Sequence, residues 1–457
     1  MYDEMASPPA RMVTRQLRFV ATLTFVALGA ALFAVAFRAS LALAYRSVFD
    51  AGNVVAAMQR LPWWLRFAVP GLGGAIGGLI ARLSAIPSQG VSNVMEAVAL
   101  GNVNLSLRTT SVRVVSSWSA IATGLSIGRE GPLIEFGGSL GAVGGRILAG
   151  GLTATRVLVA AGTAAGFAAA YNTPFAAVLF VLETIVGIAA IEALLPIMSA
   201  VLIATAVTRA IVGGGPIYGA RSFALESSVD LLSFIMLGAL AAVAALCFKR
   251  VLALLEQYLV DHPVPQPTRA LIGGLLVGAI AVWIPEVAGN GYEPLNVLLD
   301  QQLPVRIIGA LLVVKVLATS CSVASGVPGG VFTPMLLTGG AVGALYGHAA
   351  VMLGLSSAAG AASYALVGMA ATTAASIHAP LTAAVLVFEL SGDYPIVLPL
   401  LLVTVVATGI SRALGSESIY EAELRRKGVR WDVTLEGRRV SSHKGNTTSD
   451  RGARPNS

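Results

Sequence analysis

Gly128-Arg129-Glu130-Gly131-Pro132 places an arginine and a glutamate between two apolar runs, Val114–Ile127 and Leu133–Leu148. Two glycines let the backbone turn sharply, and a proline in the first turn of a helix sacrifices no intrahelical hydrogen bond. The segment therefore predicts a membrane helix that breaks and restarts at Pro132. Such a restart presents unpaired N–H groups and a partial positive charge of about half a unit. Within a bilayer it is tolerated where it lines a cavity, and transporters use it to hold anions.

Glu130 is an anion that the chain itself supplies at this helix start. Ionisable residues inside a membrane are costly to bury and are functional by default. When ionised, its carboxylate is expected to lie against the helix start at Gly131-Pro132, in the space that a transported anion needs. A purely structural capping role is the alternative, because acids stabilise helix N-termini. Arg129 is expected to be a structural partner or a source of positive field.

The composition excludes an ordinary soluble protein. Of 457 residues, 56% are hydrophobic and only 12% are charged, against about 25% charged in soluble domains. We therefore expect an all-α, polytopic protein of the cell membrane. Basic residues precede the first apolar run and follow the last one: Arg11, Arg15, Arg18, Arg425, Arg426, Lys427 and Arg430. Both termini are therefore expected on the cytoplasmic side, and the net charge of +7 is attributed to topology and anionic lipid rather than to nucleic acid.

The chain is expected to comprise a cytoplasmic arm over residues 1–16, a transmembrane domain over 17–427 and a polar tail over 428–457. The first membrane helix is predicted over Leu17–Tyr45. The tail is basic and too short for a folded regulatory domain, which usually needs ~50 residues, so it is predicted to be disordered.

The transmembrane domain contains one motif written twice. Gly128–Pro132 has a counterpart in Gly330-Val331-Phe332-Thr333-Pro334, and Asn172–Glu183 aligns without gaps with His378–Glu389. We place repeat one at about residues 17–212, repeat two at about 231–413, and a final helix around Tyr420. Paired breaks in corresponding halves predict a transport site where the repeats meet.

In this order, the motifs resemble those of the CLC family of chloride channels and proton-coupled chloride exchangers. Gly128–Pro132 resembles the family's Gly-Arg/Lys-Glu-Gly-Pro motif, and Gly330–Pro334 its Gly-x-Phe-x-Pro motif. Ser325–Gly330 and Ser418–Glu421 also resemble family segments, and the resemblance covers roughly residues 17–427. It implies an inverted-repeat fold with broken helices, working as a homodimer in which each subunit has its own anion pathway. It implies neither enzymatic activity nor a cofactor, and no metal site is expected.

The resemblance also assigns residue roles. Glu130 resembles the gating glutamate, which competes with the anion and takes up protons. The N–H groups of Val331 and Phe332 resemble donors to the central anion, and Tyr420 resembles the tyrosine that closes this site from inside. The supporting motif residues are Gly128, Arg129, Gly131, Pro132, Gly330 and Pro334. Neutral dipoles of this kind stabilise chloride without trapping it.

Two positions depart from the family pattern. Gln89 occupies the position of the anion-coordinating serine, and its longer amide leaves the preference among chloride, nitrate and other anions open. Thr184 stands where exchangers generally have an internal proton-handling glutamate, and a threonine does not carry a proton at neutral pH. The candidates that could carry the proton in place of Thr184 are Glu183, next to it, and water. A structural role for Glu183 is an equal alternative, and a structural role is favoured for Glu389.

Proton-coupled chloride exchange is therefore only slightly favoured over a passive, voltage- or pH-gated chloride channel. A fluoride exporter of the same fold fits Pro132 and Tyr420 less well. Gly124–Gly128 also matches the Gly-x-Ser-x-Gly pattern of serine hydrolases, but His348 and His378 have no obvious partner as a catalytic base.

Replacing Gln89 with serine is expected to alter anion preference more than total activity, because a short hydroxyl donor replaces an amide. The measurement is the chloride/nitrate flux ratio in liposomes. An unchanged ratio would mean that Gln89 does not contact the anion.

Overall fold

The computed structural model describes residues 8–83, 90–101, 103–148, 151–187, 191–219, 229–300, 303–354, 360–434 and 437–442. Within them the membrane part is entirely helical, and eight helices are long and apolar enough to cross a bilayer. The prediction of an all-α polytopic protein is thereby confirmed. Gln89 lies outside the described residues.

The first half of the chain contains nine α-helices among the described residues: α1 Pro8–Phe49, α2 Val54–Arg60, α3 Trp63–Arg82, α4 Gly90–Leu100, α5 Leu107–Ala122, α6 Glu130–Ile147, α7 Gly151–Tyr171, α8 Pro174–Phe180 and α9 Leu194–Val212. A π-helical turn, Val181–Val186, continues α8, and a 3-10 turn, Ile191–Ala193, precedes α9. Helix α1 begins earlier than the predicted Leu17. The Pro8-Pro9 pair suits a helix start, and no glycine or proline interrupts the chain from there to Phe25.

The second half repeats this order: α10 Val229–Asp261, α11 Gln266–Trp283, α12 Tyr292–Leu299, α13 Val305–Ala324, α14 Phe332–Met352, α15 Gly360–Ile377, α16 Pro380–Ser391 and α17 Val397–Ala413. A 3-10 turn, Pro285–Val287, precedes α12, and α18, Ile419–Arg426, follows the repeat. A capping box between Ser418 and Glu421 fixes the start of α18. The short α4, α8, α12 and α16 are the broken elements that the repeat predicts.

The tail differs from the predicted disorder in its first part. Strands β1, Val429–Thr434, and β2, Gly437–Ser442, pair antiparallel, with Val429 opposite Ser442. Alternating Val429, Trp431 and Val433 have the period-two pattern and residue types of a strand. Residues 443–457 lie outside the described part.

The two halves enter their matching short helices with the same backbone conformation. Asn172 before α8 and His378 before α16 both have φ of +56°, a left-handed conformation that few residues other than glycine adopt. A proline then follows two residues later in each half, Pro174 and Pro380, and starts the helix. The gapless alignment of these segments is therefore matched in the fold at the starts of the two helices, whereas α8 ends at Phe180 in a π-helical turn and α16 continues to Ser391.

Glycines set the spacing between helices. A Cβ built on Gly74 of α3 would lie 2.3 Å from the Ala270 carbonyl oxygen of α11, and one on Gly274 would lie 2.2 Å from that of Pro70. Only a residue without a side chain permits this approach, so the glycines allow the backbones of α3 and α11 to pack closely.

Gly141→Ala is expected to lower the free energy of unfolding by about 1–3 kcal/mol, the usual cost of overpacking a well-packed core. Its Cβ would lie 2.1 Å from the Leu158 carbonyl oxygen across the contact between α6 and α7. The matched control is Gly309→Ala in α13, where nothing lies within 4 Å. It is expected to leave stability unchanged or slightly raised. Thermal unfolding of the purified proteins in detergent checks this, and equal midpoints for the two variants would contradict it.

Candidate functional site

The two sequence breaks meet directly. The Gly128 N–H donates to the Gly330 carbonyl oxygen at 2.6 Å, and the Gly330 N–H donates to the Gly128 carbonyl oxygen at 2.8 Å. These hydrogen bonds form an isolated antiparallel bridge between the repeats. Helix α6 starts two residues after Gly128, and α14 starts two residues after Gly330. The bridge therefore brings two helix N-termini together at one point.

The Glu130 carboxylate lies at the start of α14. Its Oε1 accepts a hydrogen bond from the Thr333 N–H at 3.0 Å, and its Oε2 accepts one from the Thr333 hydroxyl at 3.2 Å. The side chain is only 2% exposed. The sequence places it against its own helix start at Gly131-Pro132; the carboxylate does contact its own N–H in the first turn of α6, and the Thr333 contacts at α14 are the part that the sequence does not predict. A side chain in the first turn points beyond the start of its own helix, and here α14 begins at that place.

Two motif glycines leave room for this carboxylate. A Cβ on Gly330 would lie 2.6 Å from Oε1 of Glu130, and one on Gly128 would lie still closer to it. Gly131 packs on the other repeat, since its Cβ would lie 3.3 Å from the Gly330 nitrogen. Gly128 and Gly330 thus leave the room that the carboxylate occupies, and Gly131 permits the close approach of the two repeats.

Val331 and Phe332 are at the start of α14, as the sequence predicts. Val331 is the residue that precedes the helix, and Phe332 is its first residue. The N–H groups of a first turn have no partner within the helix, so they are available to an anion. The Phe332 ring packs edge-on against Phe180, with ring centroids 6.4 Å apart, and Tyr420 packs on the same Phe180 ring at 6.2 Å. One aromatic cluster therefore joins α14, α8 and α18.

Two residues at the site, Thr333 and Tyr171, are not among those predicted from the sequence. Thr333 holds both carboxylate oxygens of Glu130, and its Oγ1 lies 2.9 Å from the Tyr171 hydroxyl. A threonine just before Pro334, in the first turn of a predicted helix, is the type of residue that binds at a helix start. That signal was present in the sequence. Tyr171, at the end of α7, had no comparable signal.

A cavity of about 680 Å³ lies beside the Glu130 carboxylate. Its lining includes Glu130, Phe332 and Tyr420, together with Gly90 at the start of α4. A Cβ on Gly90 would lie 3.5 Å from the Gly131 Cα, so α4 also begins beside the site. Charged side chains line the cavity as well: Arg82, Glu256, Arg269, Glu423 and Arg426. Three helix N-termini therefore converge on one cavity, an arrangement suited to binding an anion.

Glu183 and Glu389 make matching contacts between the repeats. Glu183 accepts hydrogen bonds from the N–H groups of Leu381 and Thr382 at 3.1 and 2.6 Å, at the start of α16. Glu389 accepts them from the N–H groups of Phe175 and Ala176 at 3.0 and 2.8 Å, at the start of α8. Each glutamate therefore caps the short helix of the other repeat. The geometry favours the structural alternative for both.

The other candidate residues have ordinary structural surroundings. The Thr184 hydroxyl donates to the Phe180 carbonyl oxygen within its own helix. The Arg129 guanidinium lies 5.9 Å from the centre of the Tyr292 ring, a cation–π distance. Ser126, the hydrolase candidate, is fully buried and its hydroxyl lies 2.9 Å from that of Thr319. Among the described residues no group of three or more histidine, cysteine, aspartate or glutamate residues could hold a metal ion.

Comparisons with known proteins agree on the family. A family model described as voltage gated chloride channel matches residues 72–412. A ClcB-like chloride channel protein of Ralstonia nicotianae is 37% identical over 380 residues, which are 82% of this chain and 89% of the relative. The voltage-gated ClC-type chloride channel ClcB of Escherichia coli O157:H7 is 31% identical over 384 residues, 81% of this chain and 90% of the relative.

Solved structures share the fold. A slow cyanobacterial Cl⁻/H⁺ antiporter superposes with a TM-score of 0.80 at 24% identity, covering 90% of this chain and 98% of the other. A CLC-type fluoride/proton antiporter superposes with a TM-score of 0.72 at 20% identity, covering 91% and 98%. At these identities the likeness is one of fold.

Glu183→Gln is expected to lower the free energy of unfolding by about 1–3 kcal/mol, because a neutral amide replaces a charged acceptor that holds N–H groups of α16. Glu389→Gln is the matched comparison. Glu389→Gln is expected to lower the free energy of unfolding by less, because Glu389 is more exposed than Glu183. Glu183 also accepts a hydrogen bond from the Thr382 hydroxyl, and the described contacts of Glu389 include no such hydroxyl. Thermal unfolding of both variants checks this. A Glu183→Gln protein as stable as the wild type would rule out the capping role.

Proposed function

Because the chain belongs to the voltage gated chloride channel family, whose members transport chloride and are not enzymes, we propose that it exchanges chloride for protons, with Glu130 as the gate. The single observation that carries this proposal is the position of the Glu130 carboxylate on the Thr333 N–H. A carboxylate and a chloride ion are both anions that bind to helix N-termini. The carboxylate and a chloride ion therefore compete for the same position at the start of α14.

The exchange follows from the charge of this side chain. As an anion, Glu130 is held by the Thr333 N–H and by the positive end of the α14 dipole, and it fills the space beside Phe332. When the carboxylate takes a proton, it loses most of this attraction and swings away. A chloride ion then occupies the vacated helix start. When the proton leaves on the other side, the carboxylate returns and displaces the chloride.

A passive chloride channel is the second candidate, and Thr184 is the observation that favours it. Its hydroxyl is used by the Phe180 carbonyl oxygen, and a threonine does not carry protons at neutral pH. The two candidates differ in one property, because only an exchanger lets a chloride gradient drive protons uphill. Fluoride is less favoured as the substrate, since the relatives at 37% and 31% identity are named as chloride channels.

We also propose a homodimer with both termini on the cytoplasmic side. The family resemblance implies the dimer, and an apolar groove formed by α8, α9, α16 and α17 is the surface that a second copy would cover. Phe175 and Leu195 are 66% and 74% exposed on these helices. The basic residues that flank the first and last membrane helices support the orientation.

The function is tested with purified protein in liposomes, by imposing a chloride gradient and recording chloride and proton fluxes together. The wild type is expected to move protons against their gradient, and its chloride flux is expected to rise on acidification. Glu130→Gln keeps the size of the side chain without its charge. It is expected to transport chloride with little pH dependence and without protons, whereas Glu130→Asp should remain pH-sensitive but slower.

Three outcomes would contradict parts of this account. Fluoride flux without chloride flux would exclude chloride as the substrate. Chloride flux without proton movement in the wild type would identify a channel. A folded Glu130→Gln protein with wild-type pH dependence would show that Glu130 is not the gate.

A further inference from the structure

A second carboxyl group, Glu423, lines the cavity that contains Glu130. It follows Tyr420 by three positions on α18, so both side chains lie on the same face of that helix and point into the same space. Glu423 is half-buried. Its side chain is partly exposed and lines the same cavity as Glu130. The gating mechanism described above makes no use of it.

The surroundings of Glu423 combine charges of both signs. Burial has the largest effect on the pKa of Glu423 and raises it to about 7. Lys427, which directly follows α18, the Ser92 side chain of α4 and Arg426 of α18 lower this pKa, whereas Glu256 of α10 raises it. The protonated form of this carboxyl is therefore accessible near neutral pH.

The neighbouring groups are already engaged. Lys427 contacts Asn93 at 2.7 Å and Glu96 at 3.3 Å, and Arg426 pairs with Glu256. Arg82 of α3 and Arg269 of α11 are the other charged residues of the cavity lining. Helix α15 also packs on α18, and it contains no charged residue. The Ser92 hydroxyl of α4 is fully buried and lies beside Glu423, whose charged form it stabilises.

The other carboxyl groups near the path are less suitable for carrying protons. Both oxygens of Glu183 accept hydrogen bonds from N–H groups of α16, which stabilise its charged form and hold it in place. Glu256 is paired with Arg426. Thr184 has no ionisable group. Of Glu183, Glu256 and Glu423, only Glu423 lines the cavity without a described ion pair or a described hydrogen bond from a backbone N–H group.

We propose that Glu423 takes protons from the solution on the α18 side of the membrane and passes them to Glu130. This rests on the proposed exchange of chloride for protons. A hydronium ion protonates a carboxylate oxygen of Glu423. That proton then moves through water in the cavity, past Tyr420, to the Glu130 carboxylate, and the Glu423 carboxylate is regenerated for the next cycle. Glu423 thus performs the task for which Thr184 lacks the chemistry.

The test compares the wild type with Glu423→Gln, using simultaneous chloride and proton fluxes in liposomes. Glu423→Gln is expected to retain chloride flux within about twofold, while the number of protons moved per chloride falls by roughly tenfold or more, as for loss of a positioned proton-transfer group. Glu423→Asp keeps an ionisable group and is expected to retain coupling. The matched control is Glu417→Gln, because Glu417 forms an exposed ion pair with Arg425. It should behave as the wild type does.

The outcomes separate this proposal from the proposed function. An absence of chloride flux in every protein, the wild type included, would refute chloride transport itself. Chloride flux without proton movement in the wild type would refute the exchange and the role of Glu423 with it. Wild-type coupling in Glu423→Gln would refute the role of Glu423 alone. If Glu423→Gln does not fold, Glu423→Ala is measured with the same expectations and the same refuting result.

Discussion

The pair of hydrogen bonds between Gly128 and Gly330 is the constraint on which the rest of the site depends. Two breaks far apart in sequence become neighbours through it, and the helices that follow them, α6 and α14, start at the same place. The partial positive charges of both helices are therefore directed at one small volume. A Cβ at either position would overlap the Glu130 carboxylate where it lies, so the two glycines leave the room that it occupies.

This arrangement explains how a site with few full charges can bind an anion and release it. Neutral groups hold Glu130, namely its own backbone N–H and the N–H and hydroxyl of Thr333, and no lysine or arginine contacts it among the described hydrogen bonds. Neutral dipoles bind a carboxylate or a chloride ion with comparable chemistry, so exchange between them needs little reorganisation. The same principle recurs where α8 and α16 meet, since Glu183 accepts N–H groups at the start of α16 and Glu389 accepts N–H groups at the start of α8. There the carboxylates serve structure, because no transported ion competes for those helix starts in the proposed mechanism.

Much of this could be predicted from the sequence, because the repeat is visible in residue types whose roles are local. Glycine and proline determine where helices break, so the starts of α6, α14, α8 and α16 followed from the motifs. The helix that would receive the Glu130 carboxylate could not be predicted, because that depends on how the two repeats dock. Thr333 has the residue type of a group that binds at a helix start, but its partner Glu130 depends on the same docking. The length and polarity of the tail alone predict disorder, whereas its alternating valines are the local signal for the β1–β2 hairpin. The role of Glu423 depends on Ser92 and Glu256, which lie on distant helices.

The central claim is that Glu130 and the transported anion occupy the same helix start. Crystals soaked in bromide, a chloride substitute with a strong anomalous signal, test it most directly. In the Glu130→Gln protein the account predicts a bromide peak within hydrogen-bonding distance of the Thr333 nitrogen. In the wild type at neutral pH it predicts the Glu130 carboxylate there and no bromide. A wild-type crystal at neutral pH with bromide at the Thr333 nitrogen and the carboxylate elsewhere would contradict the account, as would a Glu130→Gln crystal with no bromide at that position.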